Sequence, residues 1–155
     1  MNLDEATLQS FKWLLIKHES IEMKPYFDCC GKFFRDCKCK KQGKLTIGIG
    51  RNLEDVGLSE PEILLLNEND IMRVSMEADK AFPWFGDLNG PRKIVIMSMV
   101  FNIGINGLKE FKNMVNAMTK KNYEKAANEM LNSLWASQVK KRAVALSEIM
   151  KTGEL

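Results

Sequence analysis

Glu19, Asp28 and Thr46 are the residues whose types and order suit joint chemistry. Asp28 follows Glu19 by nine positions, and Thr46 lies inside the run Gly43-Lys44-Leu45-Thr46-Ile47-Gly48-Ile49-Gly50-Arg51-Asn52-Leu53. A carboxyl at a helix end and another on the following strand can face each other across a cleft. Glycoside hydrolysis uses that arrangement: one acid protonates the leaving oxygen, and the other carboxylate works on the opposite face of the sugar. Two acids alone are weak evidence, because the chain has 20 acidic residues and many such pairs arise by chance.

All four cysteines, Cys29, Cys30, Cys37 and Cys39, fall between Asp28 and Thr46, close enough in sequence for one site. Four thiolates make a tetrahedral zinc site that would pin a long hairpin too short for a core of its own. On a regular strand Cys29 and Cys30 point to opposite faces, so a common site requires a turn or bulge there. Two disulfides and four free thiols are the alternatives, and cytosolic redox logic favours thiolates or zinc. Any zinc would be structural, since four protein ligands leave no position for water. No catalytic cofactor is expected.

Several elements must position these groups. Leu8, Phe11 and Leu15 recur at helical spacing, widened by Leu14, and the pattern stops before Pro25, which puts Glu19 near the helix end. Gly31, Gly43, Gly48 and Gly50 between aromatic and β-branched residues predict a small hairpin or meander from Tyr26 to Ile49. Ser59, Pro61 and Glu62 form a helix start signal, and that helix should run to about Ala81, before Pro83 and Gly86. Further helices are predicted over Lys93–Ile103, broken by Gly104 and Gly107, then around Leu108–Met118, over Tyr123–Leu131 capped by Asn122, and over Val139–Met150 ending at Gly153. The ten methionines read as adaptable core filler on these stripes. The fold class is α+β.

At 155 residues, 45% hydrophobic and 28% charged, the chain suits one domain or two small packed lobes with a real core. No uncharged apolar run approaches the roughly 18 residues of a membrane span, so neither membrane insertion nor a signal peptide is expected. The net charge of +3 is too mild to demand a nucleic-acid partner. Its distribution is uneven: residues 1–80 carry 12 cationic against 14 anionic side chains, and residues 81–155 carry 11 against 6.

Lys17-His18-Glu19-Ser20, Lys24-Pro25-Tyr26-Phe27-Asp28 and Leu45-Thr46-Ile47-Gly48-Ile49-Gly50 together resemble the phage lysozyme, or endolysin, family of T-even type. Arg51-Asn52-Leu53, Gly57-Leu58-Ser59, Met99 to Gly104, Ser133-Leu134-Trp135, Arg142-Ala143 and Lys151-Thr152-Gly153 extend the resemblance over nearly the whole chain. It implies a lysozyme-like fold. A small mixed α/β N-lobe (about 20–58, with the cysteine insertion at 29–44) would be followed by a long connecting helix (59–81). A helical C-lobe (82–155 plus the N-terminal helix) would complete a single domain over 1–155. It also implies cleavage of the β-1,4 bond between N-acetylmuramic acid and N-acetylglucosamine in peptidoglycan, with Glu19, Asp28 and Thr46 as the triad. Glu19 would be the general acid, kept protonated by partial burial and a neighbouring carboxylate. Asp28 and Thr46 would activate water for an inverting, or alternatively retaining, displacement.

Other positions carry two readings. Gly48 and Gly50 suit a tight turn that lets sugar approach the backbone, rather than a phosphate cradle. Asn102 matches a cleft amide of the family, as a sugar contact or a helix-packing group. Arg142 matches a position that locks the lobe near the active-site acid, against a solvated basic face. Trp135 reads as core and His18 as surface. Arg51 stands where the family has an ion-paired histidine. The resemblance further implies a bacteriolytic monomer in the host cytoplasm before lysis, reaching the periplasm and wall through a holin lesion. A zinc-knuckle protein binding single-stranded nucleic acid is the runner-up, on Lys32, Arg35, Lys38, Lys40, Lys41 and Lys44 interleaved with Phe33 and Phe34. A non-catalytic wall-binding relative is the third reading.

Overall fold

The computed structural model describes residues 4–155 and divides into two compact units, one ending at Ile63 and the other spanning Leu64–Leu155. Seven helices and a small four-stranded antiparallel sheet make it an α+β protein.

In the first unit, helix α1 (Glu5–Glu19) starts where the Asp4 carboxylate accepts the Thr7 backbone N–H, satisfying a donor that the first turn leaves free. Leu8 and Leu15 are half-buried, whereas Phe11 and Leu14 of the same stripe are exposed. Strands β1 (Glu22–Phe27), β2 (Lys32–Phe33), β3 (Leu45–Gly48) and β4 (Arg51–Asn52) lie in the order β2-β1-β3-β4. β1 pairs Tyr26 with Phe33 on one side and with Thr46 on the other, and its register against β3 shifts between Glu22 and Tyr26. Pro25 sits in that irregular stretch, where a residue without an N–H interrupts the ladder least. The chain returns from β3 to β4 through Gly48 and Gly50, both at positive φ (68° and 77°), as the tight-turn reading requires.

The sequence start signal for α2 (Glu60–Ala81) is realised: the Glu62 carboxylate accepts both the Ser59 backbone N–H and its hydroxyl at 2.7 Å. In the second unit, α3 (Gly90–Lys109) is capped by Asn89, whose side chain accepts the Arg92 N–H. Gly104, at φ 71° and ψ 165°, leaves the helical conformation and kinks α3 sharply, which is the break expected there, whereas Gly107 does not interrupt the helix. Helices α4 (Lys112–Thr119), α5 (Tyr123–Leu131), α6 (Leu134–Val139) and α7 (Lys141–Thr152) follow. α6 was not anticipated, and it takes Val139 from the expected last helix. Lys140, at φ 49°, separates the two. Gly153 ends α7 in the left-handed conformation, as expected.

The core belongs to the second unit. Val95, Ile96, Met99 and Val100 of α3 pack with Met114, Met118, Met130, Trp135, Leu146 and Met150. Five of the ten methionines are buried there, whereas Met23, Met72 and Met76 are exposed, so the core-filler reading holds for the helices after α2 and fails for these three. No single helix among the described residues is long and apolar enough to cross a membrane.

Candidate active site and cysteine cluster

Glu19 is the last residue of α1, Asp28 follows β1 directly, and Thr46 is the second residue of β3. Thr46 is the one buried residue of the first unit among those described, at 4% exposure, held between Tyr26 on β1 and Asn52 on β4. Its hydroxyl donates to the Lys44 carbonyl at 3.0 Å. The same Lys44 donates its backbone N–H to Asp28 Oδ1 at 2.8 Å, and its carbonyl accepts the Asp28 N–H at 3.1 Å. One residue of the returning strand therefore holds both Asp28 and Thr46. Gly43 completes that grip, because a Cβ there would collide with Asp28 Oδ1 and stand 2.7 Å from the Cys29 nitrogen.

Glu19 is exposed, contrary to the partial burial the sequence reading expected; as the end residue of a helix without buried positions, it has no packed side to enter. Its Oε2 lies 3.8 Å from where a side chain on Gly50 would begin. A glycine there leaves the approach to that carboxyl open.

Tyr26 joins the two acids electrostatically. Burial holds its phenol above the usual range, and the charges of Glu19, Glu22 and Asp28 push it the same way. A phenol that keeps its proton is a hydrogen-bond donor in the neighbourhood of both proposed catalytic carboxyls. Sequence reasoning quoted Tyr26 only as part of a motif; its pairing with Thr46 was the missing signal.

Arg51 donates to the Gly57 carbonyl and to Glu62 at 2.9 Å each. Hydrogen bonds from Ser59, and then the Arg51 charge, hold the Glu62 carboxyl below its ordinary range. Lys44 reaches Asp55 at 2.8 Å, and the pair fixes the β3–β4 side of the sheet.

In the second unit, the Asn102 carbonyl oxygen accepts the indole N–H of Trp135 at 2.8 Å, and Trp135 is buried, in line with its core reading. Arg142 lines an apolar groove with Ile71, Val74, Ile94, Met97 and Phe101. Gly48 has open space on its Cβ side.

Cys29, Cys30, Cys37 and Cys39 converge, with all four sulfurs within 4.8 Å of one another and Cys29 and Cys37 at 3.7 Å. The turn that the sequence required is present: Gly31 N–H bonds back to the Phe27 carbonyl, with Gly31 at φ 64°. No disulfide joins them. Hydrogen bonding with Cys29, Cys37 and Cys30 pushes the Cys39 thiol up to about 12, whereas a backbone hydrogen bond at Lys32 lowers that of Cys30. Four sulfurs so placed can hold a metal ion.

A helix-borne acid, a sheet-borne acid and a buried threonine on a mixed helix and antiparallel-sheet scaffold suit a lysozyme-like protein. No protein-family model matches the chain. It is 31% identical over 98 residues to probable T4-type lysozyme 1 of Dictyostelium discoideum, covering 63% of this chain and 58% of that protein. It is 28% identical over 102 residues to probable T4-type lysozyme 2 of the same organism, covering 65% and 60%. The pre-baseplate central spike protein Gp5 of Enterobacteria phage T4 matches at 33% over 86 residues, 56% of this chain and 15% of that protein. By sequence the chain is similar to T4-type lysozymes and to a phage spike protein. The matched part spans less than two thirds of the length of either Dictyostelium protein.

Proposed function

We propose that the chain is a peptidoglycan hydrolase that cleaves the β-1,4 bond between N-acetylmuramic acid and N-acetylglucosamine by inverting acid/base hydrolysis. The observation that carries this reading is the shared anchoring of Asp28 and Thr46 on Lys44, in a chain similar to T4-type lysozymes. Glu19 protonates the leaving glycosidic oxygen, which the open space at Gly50 lets approach. Asp28, with Oδ1 tied to the Lys44 N–H, keeps Oδ2 to take a proton from the attacking water. The Thr46 hydroxyl spends its proton on the Lys44 carbonyl and so offers lone pairs to orient that water. Tyr26 is a neutral donor beside the carboxyls. Gly48 lies on the same sheet, where its open Cβ side lets the sugar chain approach.

No step needs a metal; the cysteine cluster takes one structural zinc. The substrate is the bacterial wall rather than nucleic acid, and the enzyme works as a monomer that waits in the host cytoplasm for a holin lesion. Glu19→Gln keeps the shape and removes the proton donor. Lysis of purified peptidoglycan should fall at least about 100-fold with the fold unchanged. Mass spectra of the wild-type products should carry reducing N-acetylmuramic acid ends; reducing N-acetylglucosamine, anhydro sugars or cut peptides would assign another enzyme class.

A further inference from the structure

The segment from Asp28 to Lys44 has no buried residue, and its ordered features are brief: the two-residue β2, one 3₁₀ turn (Phe34–Asp36), and Phe33 edge-on to Phe34 at 4.7 Å. Such a loop cannot offset the entropy of its own ordering by apolar burial, which costs roughly 1–2 kcal/mol per residue. A cross-link can. The four sulfurs have the spacing that one ion requires, because a zinc tetrahedron with bonds of about 2.3 Å has edges near 3.8 Å. Cys29 and Cys37 already stand 3.7 Å apart, and no other pair exceeds 4.8 Å. A zinc bound by four thiolates is a dianion. Between Asp28 and Lys44 lie Lys32, Arg35, Lys38, Lys40 and Lys41, against Asp36 alone.

The cluster is also joined to the proposed catalytic strand. Cys29 follows Asp28, and Gly43 packs against Asp28 Oδ1 and against the nitrogen and Cβ of Cys29. Anything that fixes Cys29 also fixes the face on which Asp28 meets Lys44. We infer that one zinc ion on Cys29, Cys30, Cys37 and Cys39 clamps the 28–44 loop so that the Asp28 carboxylate stays on the Lys44 amide. This makes the metal site the positioning device of the proposed catalytic aspartate. The inference rests on the hydrolase and structural-zinc readings above, and its test reads each separately.

Native mass spectrometry of the full chain should show one zinc, lost with EDTA and restored by zinc chloride. Amide hydrogen exchange should then report the clamp directly. Zinc removal should speed exchange of the Lys44 amide by at least about 10-fold while α3, α5 and α7 keep their protection. Cys39→Ser should lose the zinc and give the same pattern. If that variant misfolds, the EDTA-treated wild type carries the measurement. Peptidoglycan lysis should fall with zinc removal and return with zinc, with Glu19 unchanged.

No bound zinc, an iron in its place, or disulfides in the purified chain would overturn the metal site. Bound zinc with an unchanged Lys44 amide would overturn the clamp and leave the metal. A zinc-coupled Lys44 amide in a chain that lyses nothing upholds the clamp and removes the hydrolase reading instead.

Discussion

The two units are held together by different physics. Among the described residues of the first unit only Thr46 is buried, whereas the second buries twenty hydrophobic side chains around α3. Hydrogen bonds and ion pairs of partly exposed groups fix the first: Asp28 on Lys44, Lys44 on Asp55, and Arg51 on Glu62. Each such solvent-screened pair contributes little, against about 1.5–3 kcal/mol for one fully buried large apolar side chain. The proposed chemistry sits on the weakly packed sheet, where geometry is set by directional bonds and therefore by a few replaceable atoms.

That contrast can be broken from either side. The largest expected effect is in the helical unit: Met99→Ala, at a fully buried position, should cost about 2–5 kcal/mol in denaturant unfolding. An equal alanine change at exposed Met23 should stay within about 0.5 kcal/mol, and a large loss there would contradict the division. Next is Gly43→Ala, which collides with Asp28. It should lower lysis by about 10- to 100-fold through misplacement of the carboxylate. Circular dichroism of the helices should not change; wild-type lysis would show that Asp28 needs no such grip.

Asn89→Ala tests a smaller support of the helical unit. It removes both the cap of α3 and the bond to the Gly153 carbonyl at 2.9 Å, and should cost about 1 kcal/mol by thermal unfolding. The smallest effect concerns acid. Glu62 titrates below its ordinary range in the folded chain, so its contribution is present above the unfolded-state value and is lost as pH falls through the folded one. Glu62→Gln should flatten the acid limb of stability. Glu62 should give no step near neutral pH; one that vanished in the variant would refute this account.

The helical unit was largely legible in the sequence because its signals are local. Asn122 and Gly153 mark ends where the structure has them. Helix α6 escaped because six residues are too few for a periodic stripe, whereas the kink at Gly104 was legible because glycine is itself a local breaker signal. In the first unit the cysteine convergence was readable, with its need for a turn at Cys29 and Cys30. The exposure of Glu19 and the Lys44 anchor were not. The first follows from a helix that buries none of its positions, and the second from strand register between residues sixteen positions apart; residue types alone encode neither.

The stem at Asp28 and Lys44 has one more consequence. The segment starts at one member of a hydrogen-bonded pair and ends at the other, and between them only the two-residue edge strand β2 pairs with the sheet, so most of its length is free of the sheet's geometry. Closing a flexible loop costs only about 0.6 kcal/mol more for each doubling of its length. A segment tied off this way can be shortened, lengthened or exchanged with little penalty to Thr46 and its neighbours, provided the replacement brings its own fastening.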